Sequence, residues 1–185
     1  MSRMFVLAAV LLSARQEKEN PDLKFKKEWG VAMNKPAKNE EWAFKENGFF
    51  TGSLIVVGHK VDELNIEITG QEKATGSTAY DPKAAAEGEF KNISGFKGIS
   101  DAKKTVEIKP SKLPGNGANG VMANFLDMTF KKEGKAQELR MWVFLGKANQ
   151  NLYKVCLSCE EGMYKKYQKH VDYILSSIQI LKVAK

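Results

Sequence analysis

The sequence is poor in the side chains that most often carry chemistry. Its 185 residues include two cysteines, two histidines and three arginines (Arg3, Arg15 and Arg140). Two histidines leave little general-base capacity, and no serine stands near a His and an acid in a recognisable nucleophilic arrangement. Carboxylates are plentiful but scattered. The scarcity of arginine argues against a dedicated nucleic-acid role, because the planar guanidinium is the group that matches phosphate and base edges in two-pronged fashion. The formal charge of +7 comes instead from 26 lysines spread along the chain and interleaved with acids. Such a surface is well solvated and attracts anionic partners or membranes only weakly. Long apolar runs are also missing. The run Phe5–Leu12 has eight residues, against the ~20 that a bilayer-spanning helix needs, so no stable membrane span is expected.

What is present is ordinary globular material. Hydrophobic residues make up 43% and charged residues 28%, and the length suits one domain with a real core. At the N-terminus, Met1-Ser-Arg-Met4 is a short basic leader, Phe5–Leu12 is apolar, and Ser13-Ala14 supplies small residues before a polar stretch. That layout predicts a secretory signal peptide over residues 1–14, cleaved after Ala14. No cysteine follows the apolar run, so a lipid anchor is not indicated. Residues 15–22 read as a linker and 23–185 as a single α+β domain, exported to a periplasm, the extracellular space or an organelle lumen.

Along that domain, Leu23-Lys-Phe-Lys-Lys27 alternates and predicts a strand with Leu23 and Phe25 facing inward. Gly30–Asn39 reads as a loop containing Pro36. Glu41–Glu46 predicts a strand with Trp42 and Phe44 on one face, and Ser53–Gly58 one buried on both faces. Leu64–Ile68 alternates again. Asp81-Pro82 is a helix start, with Asp as N-cap and Pro in the first turn, and Gly95 and Gly98 end that helix. Thr105–Lys109 predicts a short strand closed by Pro110. Val121–Phe130 (with Met122, Leu126, Met128 and Phe130 on one face), Leu139–Leu145 and Leu152–Ser158 form an antiparallel meander with short links. From Glu160, Met163, Tyr167, Val171, Ile174, Ile178 and Leu181 recur at three and four, the mark of an amphipathic C-terminal helix packed on the sheet. Ser176–Val183 is β-branched enough to peel off as a short strand.

Cys156 and Cys159 form a C-x-x-C pair where the last meander strand meets that helix. Three readings are open: a redox dithiol, half of a zinc site completed by His59 and His170, or two small buried hydrophobes. Strand alternation points the two thiols to opposite faces, and a disulfide would need the strand to turn at Leu157-Ser158. Two free thiols would sit uneasily in an oxidising compartment. Gly115-Asn-Gly-Ala-Asn-Gly120 spells G-x-G-x-x-G, but a strand pattern follows it where a dinucleotide site needs a helix. It reads as a turn using Gly and Asn for positive φ. Asn92-Ile-Ser94 is a glycosylation sequon. Lys165, Lys166 and Lys169 line the polar side of the last helix and are a candidate docking edge for an acidic surface. Trp29, Trp42 and Phe44 are the candidate lining of an apolar ligand cleft between sheet and helix.

The early Phe25…Trp29 segment, the Asp81-Pro82 helix, the meander, and the closing Leu152-Tyr-Lys-Val155…Tyr164…Tyr167…Ile174-Leu-Ser-Ser-Ile178 together resemble the PsbP-like family over about residues 23–181. The resemblance implies an antiparallel sheet layered between helices, an α/β/α sandwich shared with a Ran-binding nuclear protein. Members are chiefly non-enzymatic: lumenal photosystem accessory proteins, exported bacterial proteins and small interaction modules. No catalytic motif comes with it, and no cofactor or metal ligand is expected. The expectation is therefore an exported accessory or binding protein with an unidentified protein partner. A small redox or metal protein built on Cys156 and Cys159, or a carrier of a small apolar ligand, are the alternatives.

Overall fold

The structure is a computed structural model that describes residues 20–73, 79–147 and 149–182. The expected signal peptide, and residues 15–19 of the expected linker, lie outside the described residues.

The meander is the backbone of the fold. Its strands β8 (Met122–Lys132), β9 (Lys135–Leu145) and β10 (Leu152–Glu160) pair antiparallel over nine residues at each junction. Glu133 and Gly134 close the β8–β9 hairpin, both at positive φ (52° and 83°). Two such residues give the turn whose twist matches that of the flanking strands. β3 (Trp42–Lys45), β4 (Ile55–His59) and β5 (Leu64–Gln71) extend the sheet beyond β10. The far side of β8 is shared between β6 (Ile99–Lys104) and β7 (Lys109–Lys112), giving the path β3-β4-β5-β10-β9-β8-β6. β4 is buried at every residue, as its continuous apolar run requires.

Helices cover both faces. α1 (Pro82–Ser94) starts where Asp81 accepts hydrogen bonds from the Lys83 and Ala84 amides, and Gly95 caps its end. It lies over β6, β8 and β9. α2 (Met163–Ser177) buries Val171, Ile174 and Leu175 against the opposite face and ends as the chain peels into β11 (Gln179–Ile180). Among the described residues no helix is long and apolar enough to cross a membrane. The sheet thus separates two cores. The α2 side holds Trp42, Trp142, Phe144 and Tyr153; the α1 side holds Leu126, Met128, Leu139 and Met141.

Several expectations are corrected. Gly30–Asn39 is not all loop: Val31–Asn34 is β2, the centre of a second sheet of order β1-β2-β11 with β1 at Leu23–Lys26. Leu23 and Phe25 face outward, each 44% exposed. The cause is register: Lys24 and Lys26 sit opposite Met33 and Val31, which point into the core, so the lysines share the inner face and Lys24 reaches over the Phe44 ring. The strand expected at Thr105–Lys109 is displaced to its flanks, β6 and β7. Pro110 lies inside β7, which among the described residues pairs with β8 alone, an edge position where a residue without an N–H costs no ladder bond. Met122, at the exposed end of β8, lies outside the buried row formed by Leu126, Met128 and Phe130.

Candidate functional site

β10 stays extended through both cysteines, hydrogen-bonded to β5 and β9 throughout. Its alternation sends Tyr153, Val155, Leu157 and Cys159 to the α2 side and Leu152 and Cys156 to the α1 side. Lys154, on the α1 side, bonds to Glu89 of α1 at 2.7 Å. Both thiols are free and buried. Burial pushes the Cys156 thiol well above its ordinary range, with Glu67 and Glu89 adding to the effect. Burial, then Glu138, pushes Cys159 up to about 12. The reactive thiolate is therefore scarce at neutral pH.

Around Cys159 the polar groups serve the start of α2. Gly162 occupies the N-cap and has no side chain to offer. Glu138 of β9 substitutes: its Oε1 accepts from the Tyr164 amide at 3.3 Å and from Cys159 Sγ at 3.4 Å. A carboxylate there also meets the positive end of the helix dipole. Arg140 holds this arrangement from the side, its guanidinium 3.9 Å from the centre of the Tyr164 ring and 3.6 Å from Glu138.

The two histidines meet around Trp42. His59 packs edge-on to it at 5.4 Å and His170 lies tilted at 6.0 Å. Tyr167 covers His59 at 4.6 Å. The Asp62 amide donates to His59 Nδ1 at 3.0 Å, so in this bond Nδ1 is the acceptor and the ring proton sits on Nε2. Asp62 Oδ2 accepts from the Tyr167 hydroxyl at 2.5 Å and from Lys166 at 2.9 Å, and these bonds hold its carboxyl below the usual range. The cluster ties α2 to the β4–β5 connection. Among the described residues no group of three or more His, Cys, Asp and Glu side chains is placed to hold a metal ion.

Trp29, Trp42 and Phe44 all contribute to the α2-side core, but separately. Trp42 is within the histidine cluster, Trp29 packs edge-on to Tyr153 at 6.3 Å, and Phe44 lies under Lys24. Lys165, Lys166 and Lys169 are exposed on α2, with Lys166 bonded to Asp62.

A cavity of about 290 Å³ lies elsewhere, between the Gly115–Gly120 loop, the β9–β10 turn and β11. Ala118, Val121, Phe144, Leu145, Ile180 and Leu181 make its apolar walls, with Lys147 and Lys182 also lining it. The loop is clamped in place. The Ala118 amide donates to Ile178 O at 2.5 Å. The Asn119 amide group brackets Ile180, donating to its carbonyl at 2.8 Å and accepting from its N–H at 3.3 Å. A Cβ on Gly117 would stand 2.0 Å from the Leu175 carbonyl oxygen, so only glycine lets the loop come this close to the end of α2. Gly115, Asn116, Ala118, Asn119 and Gly120 all have positive φ. None of Trp29, Trp42 and Phe44 lines this cavity. The Gly/Asn-dense loop was its one trace in the sequence; the other walls arrive from β9 and the C-terminal strand.

No known protein family and no curated protein matches the sequence. Solved structures do match the fold. Cyanobacterial PsbP from Synechocystis is 13% identical with a TM-score of 0.58, covering 92% of this chain and 99% of its own. The chain has a PsbP-like fold. LpqN, involved in cell envelope biogenesis of Mycobacterium tuberculosis, is 10% identical with a TM-score of 0.51, over 81% of this chain and 82% of its own. A Bacteroides thetaiotaomicron protein is 15% identical with a TM-score of 0.55, over 87% of this chain. The match spans only 48% of that longer chain.

Proposed function

We propose that this chain is an exported, non-enzymatic binding or accessory protein that works by holding a ligand in the cavity beside the Gly115–Gly120 loop. The observation that carries the reading is the cavity itself: six apolar side chains around about 290 Å³, near the lower end of small-molecule sites, bounded on one side by a loop whose backbone is fixed at Gly117 and Asn119. The buried thiols support binding over redox chemistry, since neither presents a thiolate. The N-terminal basic, apolar and small-residue pattern supports export. The fold shared with LpqN and cyanobacterial PsbP is compatible with an accessory role in an envelope or a lumen.

The test is to purify the full chain from its native compartment under non-denaturing conditions and identify co-purifying small molecules by mass spectrometry. A Val121→Trp variant, which puts a larger side chain on the lining from a half-buried, extended position, serves as control. The reading expects a bound compound with the natural chain that is lost in the variant. Identical extracts from both would contradict it.

A further inference from the structure

The chemistry of the cavity walls narrows the ligand. The side chains that β9 and β11 themselves contribute are hydrocarbon or aromatic: Phe144 and Ile180 are buried, Leu145 is half-buried, and Leu181, just past β11, is 40% exposed. The polar groups nearest them are already used within the fold. The Asn119 amide brackets the Ile180 backbone, the Gly146 N–H donates to Asn151 O at 2.9 Å, and the Ala118 N–H donates to Ile178 O. A polar ligand body would gain few partners there while losing water, which is unfavourable.

Charge gives the other half. Lys147 and Lys182 both line the cavity and both are exposed, and among the described residues no carboxylate lines it. One lysine comes from the β9–β10 turn and the other follows β11, so the two residues reach the cavity from different segments of chain. Their side chains are long enough to keep the charged ends in water while the stems cover apolar wall. An anionic head between them would be attracted at the mouth while its hydrocarbon tail lay against Phe144 and Ile180.

We propose that the ligand is a single-chain amphiphile with an anionic head, of the alkyl carboxylate class, its head held by Lys147 and Lys182 and its tail on Phe144, Val121 and Ile180. This rests on the binding function proposed above. The test uses the full chain and two probes of equal tail length, decanoate and decan-1-ol, titrated by calorimetry below their aggregation concentrations. Decanoate should bind saturably and roughly tenfold more tightly than the alcohol, the factor that two exposed charge contacts supply together. The double substitution Lys147→Glu and Lys182→Glu touches only exposed positions, so folding should survive; it should erase the preference for the carboxylate while the alcohol still binds. Val121→Trp should remove binding of both probes with thermal stability retained. Equal affinity for the two probes, or a carboxylate preference that survives the double charge reversal, would overturn the assignment of an anionic head. Absence of saturable binding by either probe would overturn the cavity as a ligand site altogether.

Discussion

The two faces of the large sheet are closed in different ways. On the α1 side the cover is one helix and one loop, with fewer aromatics than the other face. α1 contributes only Ala86 and Ile93 as buried residues, over Leu126, Met128 and Met141, and the remaining edge is sealed by the loop between β3 and β4. That loop is pinned by one carboxylate: Glu67 accepts from the Phe49 and Phe50 amides at 2.8 and 3.3 Å and from the Ser53 hydroxyl. On the α2 side the cover is assembled from distant segments and is richer in aromatics. The α2 stripe, the three-stranded sheet and the Gly115–Gly120 loop all lie there, and Tyr153 ties the turn between β1 and β2 to the β9–β10 connection by donating to the Trp29 carbonyl at 3.1 Å and accepting from Asn149 at 2.8 Å. The difference teaches where a ligand can be accommodated. On the α1 side a polar cavity of about 90 Å³ remains beside the pinned loop, whereas the larger, apolar one opens on the other side where the Gly115–Gly120 loop meets β11 and the β9–β10 turn.

The comparison can be broken most forcefully at Gly117. Gly117→Ala drives a methyl into the Leu175 carbonyl and should cost about 3 kcal/mol, read as a lowered midpoint in urea. A loss under about 1 kcal/mol would mean that the loop can lift from α2 and is no fixed cover.

On the opposite face, Glu67→Ala should cost about 2 kcal/mol, because two part-buried amides and a hydroxyl lose their acceptor. Glu67 also gives that face a pH signature. Burial raises its carboxyl above the ordinary value of 4.5, with hydrogen bonds from Ser53, Phe50 and Phe49 opposing. A folded-state pKa above the unfolded one means that the folded protein keeps the proton longer. Its contribution therefore favours folding at low pH and declines as pH rises from about 4.5 through the raised value. Urea titrations across that window should show this slope in the natural chain and its loss in Glu67→Gln. Parallel curves for the two proteins would count against a buried, titrating Glu67.

Asp81→Ala removes the α1 cap and should cost about 1 kcal/mol, with the loss of protection in hydrogen exchange confined to the first turns of α1. Loss spreading to α2 would show that the two covers are coupled. The smallest expected effect concerns the thiols. Reductant should leave the melting temperature unchanged, and a thiol reagent should label Cys156 and Cys159 only at the rate of global unfolding. Rapid labelling of the folded protein would restore the redox alternative.

Much of this architecture was legible in the chain. The meander and the handover from β10 to α2 rest on alternation followed by three-and-four spacing, and the Asp81-Pro82 start rests on capping chemistry. Alternation also separates Cys156 from Cys159, because the side-chain period of a strand is two. What escaped was non-local. β2 is four residues held between its neighbour β1 and β11 at the other end of the described chain, and no local pattern announces the second pairing. Leu23 and Phe25 point outward because pairing with β2, rather than their own hydrophobicity, sets the phase of β1. The cavity was hidden for the same reason: Ala118, Phe144 and Ile180 are neighbours only once the Gly115–Gly120 loop and β11 have packed beside β9.

The most direct test of this account is a nitrogen-15 chemical-shift titration of the full chain with decanoate. The account predicts saturable shifts concentrated at Ala118–Val121, Phe144–Lys147 and Ile180–Lys182, with the Phe49–Ser53 loop and α1 unmoved. Shifts centred on the α1 face, or none that saturate, would contradict it.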